Sequence, residues 1–352
     1  MIWSTEHCAA AVIDQSALSH YKSSGSFTQD HVGLSAKAGL LPHAAVKLVA
    51  PDELVTQVVS VKNHVVDENS LLLLLRALSL SPSILRLELY NAGLSAASLS
   101  TVSSSIQSTG VTSLSIDYNP FPIGLNYRAL FGQLIGGTSQ LRTLSLRGNQ
   151  LRDDAAQALA AVLDTNTRLA TLNLFDNQIT EVGLAALVDC LYCNTALAGL
   201  CLARNHLCGL AAQAELTRML CGSTVAASSS LLVRRKEAES CIAAANKAIA
   251  DAAKKAKQRD AVLLPTLAPV KSGADGTLVP GNTSLQVLNV AENRLGAEHV
   301  ALLLQSLMSV STAPIGLQHL HLQRCCAEDA VAEVTAAAAA SVMQACNLQV
   351  HL

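Results

Sequence analysis

The chain has 352 residues, is 50% hydrophobic but only 3% aromatic, and balances 24 basic against 26 acidic side chains for a net charge of −2. That balance excludes a chain held on nucleic acid by its overall charge, and the apolar run Leu71 to Leu75 is far too short to cross a bilayer. Ten cysteines, with no basic and apolar leader at the start, point to a soluble protein of a reducing, cytoplasmic compartment.

In chain order, residues 1–50 come first, with scattered Ser and His and no clear period. They are expected either to cap the next segment or to form an arm that orders on a partner. Residues 51–352 carry a recurring eleven-residue phrase, apolar at its first, fourth, sixth and eleventh places, with Asn at its ninth. Val55 to Val65 is a degenerate copy, with Asn63 in the ninth place and Ser60 facing inward. Ile84, Leu87, Leu89 and Leu94 form the next, with Ala92 where Asn is expected. Val111, Leu114, Ile116, Asn119 and Phe121 make up the third. The three clearest copies start at Leu141, Leu169 and Leu197, a constant 28 residues apart. After an 88-residue step the phrase returns at Leu285, then at Leu317, where Cys325 replaces the Asn. Leu348 to Leu352 reads as one more strand.

The alternating leucines put one face of a short strand into a core. The Asn sits where the chain turns off the strand and can satisfy backbone groups left unpaired there. Asn119, Asn149, Asn177, Asn205 and Asn293 are therefore expected to form a structural ladder, a polar binding column being the alternative. Behind the phrase, Asp153 to Leu163, Glu181 to Leu191 and Ala297 to Leu307 read as helices, acidic in the first turn and apolar at helical spacing. Strand plus full helix in 28 residues resembles the ribonuclease-inhibitor-like class of leucine-rich repeats. The resemblance covers roughly residues 55–220 and 285–352. It implies an α/β solenoid, a right-handed leucine-rich-repeat horseshoe with parallel strands on the concave face and helices on the convex back.

The long step marks residues 222–284 as an insertion within the repeat domain. Leu231 to Asp260 has no Pro or Gly and is rich in helix formers, which predicts one long helix. It carries eight basic residues, Arg234, Arg235, Lys236, Lys247, Lys254, Lys255, Lys257 and Arg259, against four acidic ones. It is expected to be either a solvated decoration or a docking element for an acidic partner. From Leu264 to Pro280 the chain reads as an irregular return loop.

No catalytic, cofactor or metal set emerges. Cys190, Cys193, Cys201 and Cys208 have the spacing of a zinc site. The repeat register, however, places Cys190 and Cys193 at the end of a convex helix and Cys201 on the concave strand face. His319 and His321 leave one strand on the same side with no third ligand evident nearby. Gly273 to Thr277 lacks the Lys of a phosphate loop.

What remains is surface. Tyr90, Tyr118, Arg147, Phe175, Asp176, Arg204, Glu292 and Arg324 occupy exposed strand-end and loop places across the repeats. With Arg234, Arg235, Lys236, Lys254, Lys255 and Lys257 of the insertion they are the candidate partner-binding residues. Tyr and Arg are common interface anchors, while isolated exposed aromatics are ordinary. The expected function is a non-enzymatic protein-binding scaffold, or a structural subunit of an intracellular assembly such as a cytoskeletal or ciliary axoneme complex. Its partner would be a protein with an acidic surface, a tubulin lattice or a complex subunit, and neither nucleic acid nor membrane. The resemblance also implies an alternative, a GTPase-activating protein for a small Ran-like GTPase, which would use Tyr90, Asn91, Asp117 and Tyr118 on early loops.

Overall fold

Each copy of the phrase becomes a short strand laid parallel to the one before it. The structure is a computed structural model that describes residues 18–49, 58–136, 139–226, 228–256, 261–273, 276–309, 316–326, 332–346 and 348–352. The strands are β2 (Val58–Lys62), β3 (Arg86–Tyr90), β4 (Ser113–Asp117), β5 (Thr143–Ser145), β6 (Thr171–Asn173) and β7 (Gly199–Cys201). They continue as β11 (Val287–Asn289), β12 (His319–His321) and β13 (Gln349–His351). With β1 (Lys47–Val49) they form one ten-stranded sheet, parallel throughout except that β1 runs antiparallel to β2.

The apolar places of the phrase are the core. Leu144, Leu146, Leu172, Leu174, Leu202, Leu288 and Val290 are fully buried, and Leu151, Ile179 and Leu207 at the eleventh place join them. Side chains in register on neighbouring strands, such as Leu144, Leu172 and Leu200, stack from repeat to repeat. A solenoid is held together by these nearest-neighbour contacts, and truncating one such leucine to Ala costs about 2–5 kcal/mol.

Helices return the chain behind the sheet: α2 (Glu68–Ser79), α3 (Ala96–Ser105), α4 (Tyr127–Ile135), α5 (Asp153–Leu163), α6 (Glu181–Leu191), α7 (Gly209–Cys221), α9 (Ala297–Ser309) and α10 (Ala332–Cys346). Asp67, Ser95, Asn126 and Thr180 cap α2, α3, α4 and α6 by accepting from first-turn amides. The helices expected over 153–163 and 181–191 form over those spans, and that expected over 297–307 runs to Ser309.

The first repeat differs from its sequence reading by one residue. Val59 pairs with Leu87 and Val61 with Leu89, so Asn63 stands opposite Asn91, at the eighth place. Val59 and Val61 are then the buried pair, and Ser60 turns to the other face, where its hydroxyl donates to Glu88 at 3.1 Å. A one-residue slip exchanges every inward side chain for its neighbour, and burial of the two valines selects this register. In front of it, α1 (Phe27–Lys37) packs on α2, and Phe27 and Leu34 join the core. Asp30 is wholly buried there, accepting from Ser23 Oγ, Tyr21 Oη and the Ser24 amide. Residues 1–17 and 50–57 lie outside the described residues.

Between β7 and β11 the chain leaves the repeat. It forms β8 (Ser223–Val225), the 26-residue helix α8 (Ser230–Lys255), β9 (Lys271–Gly273) and β10 (Gly276–Val279). The return is not wholly irregular: β9 and β10 pair with β8 as a separate three-stranded antiparallel sheet. The main sheet ignores this excursion, for Gly199 pairs with Val287 and Leu200 with Leu288 in unbroken register.

Candidate functional site

The outward side of the sheet and the turns at its strand ends carry the candidate residues. At the eighth place the backbone enters the left-handed region in repeat after repeat: Asn91, Tyr118, Gly148, Asp176, Arg204, Glu292 and Arg324 have φ between 47° and 63°. Five of the surface candidates are thus turn residues in that conformation, while Tyr90, Arg147 and Phe175 occupy the place before it. A non-glycine residue there is uncommon and costs energy. The next residue along the chain, at the ninth place, is the inward Asn, replaced by Ala92 after Asn91 and by Cys325 after Arg324.

That Asn is structural. Asn177 donates to Leu146 O, Leu174 O and Phe175 O and accepts from the amides of Asn149 and Leu151. Asn119, Asn149, Asn205 and Asn293 repeat the arrangement, each buried. Where Cys325 stands instead, its thiol donates to Val290 O at 3.1 Å, the carbonyl an Asn amide would take. A second column, three places before the phrase, escaped the sequence reading. Asn166, Asn194 and Asn282 donate to the last carbonyls of α4, α5 and α6, each the helix one repeat back in the stack, and accept the amides that lead into the next strand. Its signal was an Asn three residues ahead of the leading leucine.

Four rim candidates meet in one stack across successive repeats. The Tyr90 and Tyr118 rings are 5.2 Å apart, and the Arg147 guanidinium lies 5.7 Å from the Tyr118 centroid and 4.8 Å from that of Phe175. Gly148 makes room for it: a Cβ at that residue would come within 2.4 Å of the Tyr118 ring, and its φ of 63° suits glycine besides. Arg147 Nε is buried with no hydrogen-bond partner among the described residues, and the cation lies against ring faces. The row continues in charges, Asp176 pairing with Arg204 at 3.3 Å. Glu292 joins both around a polar cavity of about 450 Å³, together with Arg294 and His206. Arg324 is exposed at the far end.

The basic candidates divide. Arg234 grips Asp164 with two bonds of 2.6 and 2.9 Å, and the buried Arg235 donates to Tyr192 O and Ala268 O. These two arginines fasten α8 to the ends of α5 and α6 and to the irregular segment that follows it, so the expected exposed basic face loses them. The reason is amphipathic: Leu231, Arg235, Ala238 and Ile242 share the inward face of the helix. Lys236, Lys254 and Lys255 are exposed, as is Lys247. Lys257 lies outside the described residues.

The histidines differ from their sequence reading. His351 on β13 supplies a third ring, 4.3 Å from His321 and 5.8 Å from His319. The rings stack face to face, within 6° for His321 and His351. Burial, with the other two imidazoles beside it, pushes His321 below the ordinary histidine value. Among the described residues no group of three or more His, Cys, Asp or Glu is arranged to hold a metal ion. Cys190 and Cys193 are buried behind the sheet, whereas Cys201 borders a cavity on its outward side.

A model of the Leucine Rich repeat family matches residues 140–160, 165–188 and 281–298. No curated protein matches the chain. Among solved structures, it is similar to an internalin (inlF) from Listeria monocytogenes str. 4b F2365, at 15% identity and a TM-score of 0.37. That match covers 82% of this chain and 58% of the internalin, so the chain spans less than two thirds of it. It is also similar to leiomodin-1 actin-binding site 2, at 18% identity and a TM-score of 0.32, over 45% of this chain and 95% of that one. Among the described residues no helix is long and apolar enough to cross a membrane.

Proposed function

We propose that this leucine-rich-repeat solenoid is a non-enzymatic protein-binding scaffold whose main contact is the ribbon Tyr90, Tyr118, Arg147 and Phe175. Three aromatic side chains from a chain only 3% aromatic stand in one row with a guanidinium between two of them. All four are partly exposed. Side chains already fixed by one another lose little entropy on binding, and Tyr and Arg in such rows are the usual anchors of interfaces.

Affinity purification with crosslinking from native cells tests the reading. Crosslinks should fall on the rim, and Phe175→Ala with Tyr118→Ala should abolish capture of the same partner while the protein stays folded. Crosslinks confined to the convex helices would overturn it.

A second surface lies on α8. Lys236, Lys247 and Lys254 are spaced eleven and seven residues apart and so fall on one exposed face of the helix. That stripe suits an acidic partner, and it supports a place in a cytoskeletal or ciliary assembly beside a tubulin lattice or an acidic subunit. Cosedimentation with microtubules, lost on changing the three lysines to Glu, is the check. Nothing favours the GTPase-activating alternative. Asp117 accepts from Ser145 Oγ and the Arg147 amide, and Asn91 donates to Asn63, so both polar loop groups are engaged within the solenoid.

A further inference from the structure

On the outward side of the sheet, β7 carries almost no side chain. Gly199 stands where β6 has Thr171 and β11 has Val287, and the result is a dent of about 430 Å³. The fold does not require this glycine. A Cβ there would meet Thr171 Cγ2 at 3.4 Å, an ordinary contact, and Gly199 is not among the residues of positive φ. Glycine inside a strand weakens it, and a common reason for one is the close approach of something else.

The walls say what would approach. Val287 is 37% exposed and Thr171 is exposed too, so the margin is the valine side chain on one side and the Thr171 methyl, with its hydroxyl beside it, on the other. Asn173 and Asn289 flank the dent on β6 and β11. Each Oδ1 accepts a backbone amide two residues on, Phe175 N and Ala291 N, both at 3.0 Å. That bond fixes the carboxamide, and its NH2 group has no partner among the described residues. Cys201, between them, takes the Ala203 amide in the same manner, and burial keeps its thiol neutral by pushing its pKa up. Among the described residues no Asp, Glu, Lys or Arg lines the space; Gln286 and His321 complete its polar edge, and burial with the neighbouring imidazoles lowers the His321 pKa and favours its neutral form. The two free donors stand two strand spacings apart, roughly 9–10 Å, across a neutral apolar hollow.

We propose that this dent seats one uncharged apolar side chain of a protein partner, while backbone carbonyls on either side of that residue accept from Asn173 and Asn289. It rests on the protein-binding reading above but uses a different place on the sheet, so the two can fail separately.

The test pans a phage-displayed random twelve-residue peptide library on the full chain and measures enriched peptides by fluorescence anisotropy. Peptides sharing an uncharged apolar residue are expected, and Gly199→Trp, which fills the dent, should weaken them at least about tenfold. Val287→Lys should do the same at an already exposed position, and it decides the matter if Gly199→Trp does not fold. Asn173→Ala with Asn289→Ala should weaken binding less, and Arg147→Ala should leave it unchanged. No enrichment, enriched peptides that bind Val287→Lys as tightly as the parent, or peptides dependent on Arg147 alone would each overturn the seat. The last of these would leave the rim reading standing.

Discussion

The Asn205 amide donates to Asn293 Oδ1 at 3.2 Å, although 88 residues of chain separate the two. Asn293 also accepts from Leu207 N and donates to Leu202 O, Val290 O and Ala291 O. The ladder therefore crosses the insertion without a step, and the Asn293 side chain adds its bonds to the β7–β11 pairing and the Asn282 bonds that join the two halves of the solenoid. Asn293→Ala would leave several buried backbone groups unpaired at once. We expect a loss of about 3 kcal/mol, read from urea denaturation. Cys325→Ala removes a single thiol donor and should cost about 1 kcal/mol, while Cys325→Asn should be tolerated. Equal losses at Asn293 and Cys325 would show that the ladder is not what joins the repeats.

The insertion should be removable. Ser223 and Val279 are paired neighbours at its base, and Asn282 N already donates to Met219 O at 2.8 Å. Joining Gly222 to Pro280 through a short glycine link is expected to give a chain with native circular dichroism and cooperative unfolding. In the full chain, Asp164→Ala frees Arg234, a partly exposed pair worth about 1 kcal/mol or less. Hydrogen exchange should then quicken in α8 and not in β5 or β6; an unchanged α8 would mean that the pair does not hold it.

Stability should fall as the solution is acidified from pH 7 to 5. His321 and His31 are both held below the ordinary histidine value, by burial first and by neighbouring imidazoles second. A histidine with a depressed folded pKa carries no penalty above its unfolded value near 6.5, and destabilises the fold as pH drops below that value. The Asp30 carboxyl, which burial alone would raise, is held low by bonds from Ser24, Ser23 and Tyr21, so its contribution persists across this range and is lost only as the pH falls below the usual aspartate value of 3.8. Urea midpoints at pH 7.5, 6 and 5 should decline, and His321→Gln with His31→Gln should flatten that decline. A decline of full size in the double variant would place the acid sensitivity elsewhere.

Thiol reactivity should sort by burial. Burial drives Cys193 up to about 11 and Cys325 up to about 12, and raises Cys190 well above the usual thiol value. Cys208 and Cys241 are exposed. Brief alkylation at pH 8, mapped by mass spectrometry, should label Cys208 and Cys241 and spare Cys190, Cys193 and Cys325 until denaturant is added.

Much of the fold was legible because each repeat is a local event. The leucine alternation, the Asn turn and the acidic helix start all lie within 28 residues, and each acts on its own segment. Legibility failed where the local signal was weak or shared. Val55 to Val65 has valines on either side of Ser60, so only pairing with Leu87 and Leu89 could choose its register. The rim residues could be placed on one edge, but not seen to touch.

The sequence by itself determined the period, the faces of every repeat strand but the first and the long helix of the insertion, since periodicity and propensity are written within single segments. Only the tertiary structure decided which side chains become neighbours across the spacing between adjacent repeats. It brought Arg147 between Tyr118 and Phe175, set His351 against His321 and turned Arg234 and Arg235 inward. It also left Gly199 as a hollow between Thr171 and Val287. Those contacts join residues from 28 to 88 positions apart, and they exist only once the coil is stacked.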